Sequence, residues 1–178
     1  MITILDFETT GLLKAEGNPL HLQPHIIEVY ACQVDDGKII KEVETFVKPP
    51  MPIPPIITKI TGITDFDVKD APVFSEIYRD LVDVFFGSHT TVSHNVSFDE
   101  GVLINELRRM GKQYSFPYSP IKFCTVEQSM HLRGHRLKNG ELYKIATGKE
   151  IEGSHRAKND VMATWESYKF LIGNNQKG

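Results

Sequence analysis

An α/β fold, a sheet of mixed direction with helices packed on it, is predicted by three observations. Residues 1–47 read as three strands in succession joined by loop and turn signals. From residue 73 onward, helical periods alternate with short β-branched runs. The chain has 178 residues, 40% hydrophobic and 24% charged, which suits one domain with a real core.

Each element follows from local chemistry. Residues 1–7 alternate apolar and polar and form a strand ending at Thr9-Thr10-Gly11, before a loop that holds Gly17, Asn18 and Pro19. His25–Val34 is rich in β-branched residues. Asp35-Asp36-Gly37 is a turn signal, and Lys38–Val47 is the return strand of a hairpin. Lys48–Pro55 holds five of the ten prolines, so it is a stiff, extended connector. Ile56–Ile63 forms a helical turn ending at Gly62, and Val73–Phe86 has a helical apolar period closed by Gly87. Thr90–Ser93 is a brief strand; Asn95 or Ser97 caps a helix that runs to Met110. Ile121–Cys124 is a short buried strand, Thr125–His131 and Asn139–Thr147 are short helices, and Val161–Ile172 belongs to a final helix stopped by Gly173. One domain over residues 1–173 and a polar tail over 174–178 are expected.

Composition excludes several classes. No apolar run approaches the ~18–20 residues that span a bilayer, so no membrane partner is expected, and the N-terminus lacks the layout of a signal peptide. Cys32 and Cys124 are the two cysteines and form no CxxC pair. This argues against a zinc site and a disulfide framework, suits a reducing, cytoplasmic setting, and leaves one disulfide open on count alone. The net charge of −3 conceals an asymmetry: residues 1–107 carry −10 and residues 108–178 carry +7. Such a chain has an acidic half suited to cations and a basic half suited to phosphates.

The acidic positions carry the chemistry. Asp6 and Glu8 lie two apart at the end of the first strand and share a face. Two adjacent carboxylates repel, and neither is buried cheaply unless a cation neutralises them. Asp99 lies near the start of a helix that follows a strand. Asp160 lies five residues after His155, a spacing that puts them about 140° apart on a regular helix. They converge only if His155 sits on the preceding loop, which Gly153-Ser154 favours.

Three segments, Asp6-Phe7-Glu8-Thr9-Thr10-Gly11, His94-Asn95-Val96-Ser97-Phe98-Asp99 and His155-Arg156-Ala157-Lys158-Asn159-Asp160, resemble in order and spacing the motifs of DnaQ-like DEDDh 3′–5′ exonucleases. Ile26-Ile27-Glu28-Val29, Ile60-Thr61-Gly62-Ile63, Leu142-Tyr143 and Thr147-Gly148-Lys149 extend the resemblance over nearly the whole chain. It implies an RNase H-like fold with a five-stranded mixed sheet flanked by helices. It also implies 3′–5′ hydrolysis releasing nucleoside 5′-monophosphates from single-stranded or frayed nucleic acid, with DNA favoured over RNA. Asp6, Glu8, Asp99 and Asp160 would hold two divalent metal ions, and His155 would act as general base. Thr9, Thr10, Asn95 and Phe98 would meet the substrate. An all-oxygen carboxylate set suits Mg²⁺ or Mn²⁺, and an imidazole takes a proton near neutral pH. Arg133, Arg136, Lys138, Lys144, Arg156 and Lys158 are expected to track phosphates. Many members carry histidine where this chain has Thr61, which puts a nucleotide-holding role there in doubt. The residues after Ile172 are only Gly-Asn-Asn-Gln-Lys-Gly, which favours a free-standing exonuclease, on whose surface a polymerase partner could still dock. An RNA-directed exoribonuclease and a non-catalytic nucleic-acid-binding module remain as alternatives, and internal cutting by a related endonuclease is disfavoured.

Overall fold

The computed structural model describes residues 1–153 and 155–175. Strands β1 (Ile2–Thr9), β2 (Ile26–Asp35), β3 (Lys38–Phe46), β4 (Thr90–Ser93) and β5 (Ile121–Cys124) form one sheet in the order β3-β2-β1-β4-β5. The first three pair antiparallel, whereas β4 runs parallel to β1 and β5 parallel to β4. The sheet is therefore five-stranded and mixed, as expected. Successive strands step one way from β1 to β3 and the other way from β4 to β5, so the order reverses between β1 and β4. In open α/β sheets, a crevice forms at the carboxyl ends of strands at such a point.

Helices α1 (Pro55–Thr61), α2 (Asp65–Val68), α3 (Phe74–Phe85), α4 (Val96–Arg109), α5 (Thr125–Arg133), α6 (Asn139–Thr147) and α7 (Ala157–Asn175) complete the fold. Period-two alternation along β1 divides the core. Leu5 and Phe7 pack with α3 residues Ile77, Leu81 and Phe85 and α4 residues Val102, Leu103 and Leu107. Ile4 packs on the opposite face with Tyr30, Cys32 and Val92 and, from α7, Ala157 and Val161. Asp6 and Glu8 continue the Ile4 side, so β1 aims both toward α7. The cysteines are buried and unbridged.

The structure departs from the sequence reading at several ends. A 3-10 turn at Leu20–Leu22 and helix α2 were not anticipated. Helix α2 starts at a reciprocal cap, with Thr64 Oγ1 accepting from the Asp67 N–H and Asp67 Oδ2 accepting from the Thr64 N–H at 2.8 Å. Helix α7 begins at Ala157, between His155 and Asp160, and passes through Gly173, where it was expected to stop, to Asn175. Asn95 precedes α4, but its side chain makes no cap bond: it adopts φ +82° and turns its Oδ1 toward Arg136. Ser154 and residues 176–178, which include most of the expected tail, lie outside the described residues.

Candidate active site

Four carboxylates converge at the carboxyl ends of β1 and β4. Strand β4 pairs with β1 only from Ile2 to Ile4, after which its chain turns away into α4. That leaves the Phe7 N–H without a strand partner, and Asp99 in the first turn of α4 accepts it on Oδ1 at 3.2 Å. Ser93, the last residue of β4, donates its hydroxyl to Asp99 Oδ2. Asp99 is only 2% exposed. The fourth carboxylate comes from across the sheet: Asp160, in the first turn of α7, accepts the His155 N–H on Oδ2 at 2.8 Å. Its Oδ1 and main-chain carbonyl accept from Asn139 Nδ2 at 3.3 and 3.0 Å, and Thr164 donates to Asn139 Oδ1.

His155 sits on the loop before α7, exposed and at φ +65°. This is the placement its spacing from Asp160 requires. Ligand atoms of Glu8, His155 and Asp160 lie within 4.8 Å of one another. Asp6 and Asp99 stand beside them closely enough to interact by charge.

The electrostatics of the cluster are those of negative charge without enough counter-charge. Burial, then the nearby charge of Asp99, Glu8 and Asp160, pushes the Asp6 carboxyl well above the usual carboxylate range. Burial first, then Asp160, Glu28 and Asp99, raises Glu8 to about 7. Asp99 is pushed up to about 7 by burial, although Ser93 and the Phe7 N–H pull it down. Asp160 is also raised by burial, against the opposing His155 N–H bond. Carboxylates crowded and desolvated in this way favour a bound cation or a proton. The all-oxygen donor set of Asp6, Glu8, Asp99 and Asp160 fits a hard divalent ion.

The expected substrate contacts are distributed differently. Thr9 and Thr10 are buried, and their hydroxyls serve the loop after β1: Thr9 Oγ1 donates to Gly11 O at 2.7 Å, and Thr10 Oγ1 accepts the His25 N–H at 2.9 Å. Phe98 packs partly against the core beside Asp99. Asn95 Oδ1 receives Arg136 Nη2 at 3.1 Å, which ties the α5–α6 connection to the mouth of the site. Thr61 caps α1 from within, donating to Ile57 O and accepting the Ile63 N–H. Three of the six expected phosphate-tracking cations are in ion pairs: Lys144 with Glu150, Arg156 with Glu28 and Lys158 with Glu44. Among the described residues, Arg133, Arg136 and Lys138 form none, and all three are exposed on the α5–α6 connection.

His94, the first residue of the second motif, is a strut in this structure. Its Nε2 lies 3.1 Å from Leu137 O and its Nδ1 2.9 Å from Thr125 Oγ1. A neutral ring satisfies both as the Nε2–H tautomer, donating to the carbonyl and accepting the hydroxyl. Burial, assisted by Arg136, pushes its pKa down to about 4. His94→Ala leaves a carbonyl and a hydroxyl without their partner and is expected to cost ~1–3 kcal/mol in urea unfolding at pH 7. The neutral ring contributes fully above the ordinary histidine pKa, and this contribution fades as pH falls from about 6.5 toward 4. An unfolding free energy unchanged in the variant at pH 7 would refute the strut.

Sequence reasoning missed Glu28, Ser93 and Asn139, which hold the site without resembling catalysts. Glu28 carried a signal, a lone carboxylate inside the apolar run Ile26–Val34.

Comparisons with known proteins place the chain in a family. The family model described as exonuclease, RNase T, matches residues 3–168. The PolC-type DNA polymerase III of Caldanaerobacter subterraneus subsp. tengcongensis is 34% identical over 171 residues, which are 95% of this chain and 11% of that protein. The DNA polymerase III subunit epsilon of Treponema pallidum is 31% identical over 177 residues, 98% of this chain and 78% of the subunit. The structure of exonuclease X in complex with 5′ overhanging duplex DNA superposes with a TM-score of 0.66 at 27% identity, covering 98% of this chain and 92% of that one. The chain thus spans about a tenth of the PolC-type relatives and most of the epsilon subunit.

Proposed function

Because this chain belongs to the RNase T exonuclease family and is DnaQ-like in fold and motifs, we propose that it removes nucleoside 5′-monophosphates stepwise from the 3′ end of single-stranded or frayed DNA. The observation that carries this reading is the convergence of Asp6, Glu8, Asp99 and Asp160, each raised in pKa, beside an exposed His155. Those four carboxylates would hold two divalent ions, Mg²⁺ or Mn²⁺. When bound, such ions polarise the scissile phosphate, assist water attack and stabilise the leaving 3′ oxygen. A ring nitrogen of His155 takes the proton of the attacking water, and the Asp160 carboxylate holds the loop that presents it. Asn95 and Phe98 flank Asp99 at the mouth, where the terminal nucleotide enters. Thr9 and Thr10 shape the loop that borders it, because their hydroxyls are engaged within that loop.

The α5–α6 connection supplies the electrostatic track. Replacing Arg133, Arg136 and Lys138 together with alanine is expected to raise KM and leave kcat nearly unchanged. The slope of log KM against log salt should fall by about 0.7 for each phosphate of a single strand that the variant no longer neutralises. An unchanged salt slope would move the track elsewhere. The names of the relatives support a polymerase partner, and DNA is the favoured strand for the same reason.

The direct test is incubation of matched 3′-ended DNA and RNA, labelled at the 5′ end, with and without Mg²⁺ or Mn²⁺. The expected result is stepwise shortening, faster on DNA, with 5′-nucleotide products and full loss of activity in EDTA. Internal cuts, or no cleavage with either metal, would overturn the assignment. Faster digestion of RNA would reverse the substrate.

A further inference from the structure

Glu28 is the third residue of β2, its side chain only 7% exposed, directly across from Glu8 in the antiparallel register. The reaction as proposed does not use it. A carboxylate in such a place needs partners, and those among the described residues come from one short stretch of chain. Arg156 donates from Nε at 3.0 Å and Nη2 at 2.7 Å to Oε1, and the Ala157 N–H donates to Oε2 at 3.1 Å. The Arg156 guanidinium also lies 5.2 Å from the Phe46 ring centroid, over the end of β3.

Arg156 directly follows His155, whose φ of +65° lies in a region that side-chain-bearing residues seldom adopt. Such a conformation persists where the surroundings over-determine it. Here two anchors bracket the residue. Its own N–H is held by Asp160, and the next two residues are held by Glu28.

We propose that Glu28 and Arg156 are positioning residues, forming a latch between β2 and the first turn of α7 that holds His155 in the backbone conformation facing Glu8 and Asp160. This rests on the exonuclease reading for its kinetic consequence, though not for its structural one. The latch predicts that Arg156 is a poor phosphate ligand, because its planar donor fork is already matched to a carboxylate. Without the latch, α7 stays packed on the sheet through Val161 and its neighbours, and the His155 loop is free to leave the site.

The test compares the wild-type chain with Arg156→Ala, Glu28→Gln, His155→Ala and the double variant Arg156→Ala/His155→Ala. A 1 Å misplacement of a catalytic group can cost about 10²-fold, so Arg156→Ala is expected to lower kcat by about that factor with KM within about twofold. In the His155→Ala background the same change should alter the residual rate by less than about twofold, because the two act through one group. Hydrogen exchange at the His155 amide should accelerate in Arg156→Ala and in Glu28→Gln. Raised KM with unchanged kcat would make Arg156 a phosphate contact and overturn the latch. Full multiplication of the two single effects would also overturn it, as would unchanged amide exchange. If wild-type protein released no nucleotides, the exonuclease reading would fail, and the exchange result alone would decide the latch. If Arg156→Ala lost its circular dichroism, Glu28→Gln, which keeps the side-chain volume and an acceptor for Ala157, would carry the test.

Discussion

Asp99→Asn should lower the rate of 3′-end hydrolysis by about 10³-fold or more and, without metal, should melt at a higher temperature than the wild type at pH 8. The two effects have one cause. Asp99 is 2% exposed and shares its surroundings with other carboxylates, and burial raises its pKa to about 7. A carboxyl raised in the folded state stabilises the fold below the unfolded pKa of ~3.9, and this contribution is lost as pH rises through about 7. At pH 8 the metal-free protein therefore carries the full repulsion. Asparagine keeps the shape, accepts the Phe7 N–H and can donate to Ser93 in place of the present bond. It removes the charge, so the decline in melting temperature between pH 5 and pH 8 should become shallower. Divalent ions should reverse the order. Binding to the folded state alone stabilises it by RT ln(1 + [L]/Kd), and the variant has weakened that affinity. Thermal melts at pH 5 and 8, with EDTA or Mn²⁺, read all of this. A metal-free Asp99→Asn less stable than wild type at pH 8 would make Asp99 a structural residue, not a functional one.

What the sequence discloses depends on how local the cause is. The meander and the last two strands were readable because β-branched runs, a turn signal and a proline-rich connector lie along the chain itself. The motif spacing placed Asp6, Glu8, Asp99, His155 and Asp160, and the fold brings all five together. What caps the start of α7 was not readable in the same way. Its first amide is capped by Glu28, 129 residues away in sequence, and no neighbouring side chain announces it. The ion pairs of Arg156 and Lys158 were unreadable for the same reason: each looks like an available cation until β2 and β3 bring Glu28 and Glu44 beneath them. Helix α2 is the opposite case, since the Thr64-to-Asp67 spacing of a capping box was present and unread. Thr9 and Thr10 lie between these cases. Their position beside the carboxylates was evident, but the Thr10 hydroxyl is engaged only when His25 folds back against it, whereas Thr9 bonds locally to Gly11 O.

His155→Ala separates the base from the metal site, and the geometry makes that separation a real question. The ligand atoms of Glu8, His155 and Asp160 lie within 4.8 Å of one another, so distance alone would permit the imidazole to be a ligand. Chemistry argues otherwise. Mg²⁺ and Mn²⁺ prefer carboxylate and water oxygens, and the four acids already supply a complete oxygen set. His155 is also exposed, and Asp160 holds it through its backbone N–H. The variant should therefore lose about 10²–10⁴-fold in kcat while Mn²⁺ affinity, measured by calorimetry, stays within a few-fold of wild type. Asp160→Ala should weaken affinity and activity together. The acid limb of the pH–rate profile, which reports protonation of the base, should disappear in His155→Ala and persist in Arg133→Ala. Because the site of the missing ring opens to solvent, added imidazole should restore part of the rate. A large loss of Mn²⁺ affinity in His155→Ala would make the residue a ligand. Near-normal turnover with an unchanged profile would remove it from the chemistry, leaving the carboxylates and their ions to accept the proton.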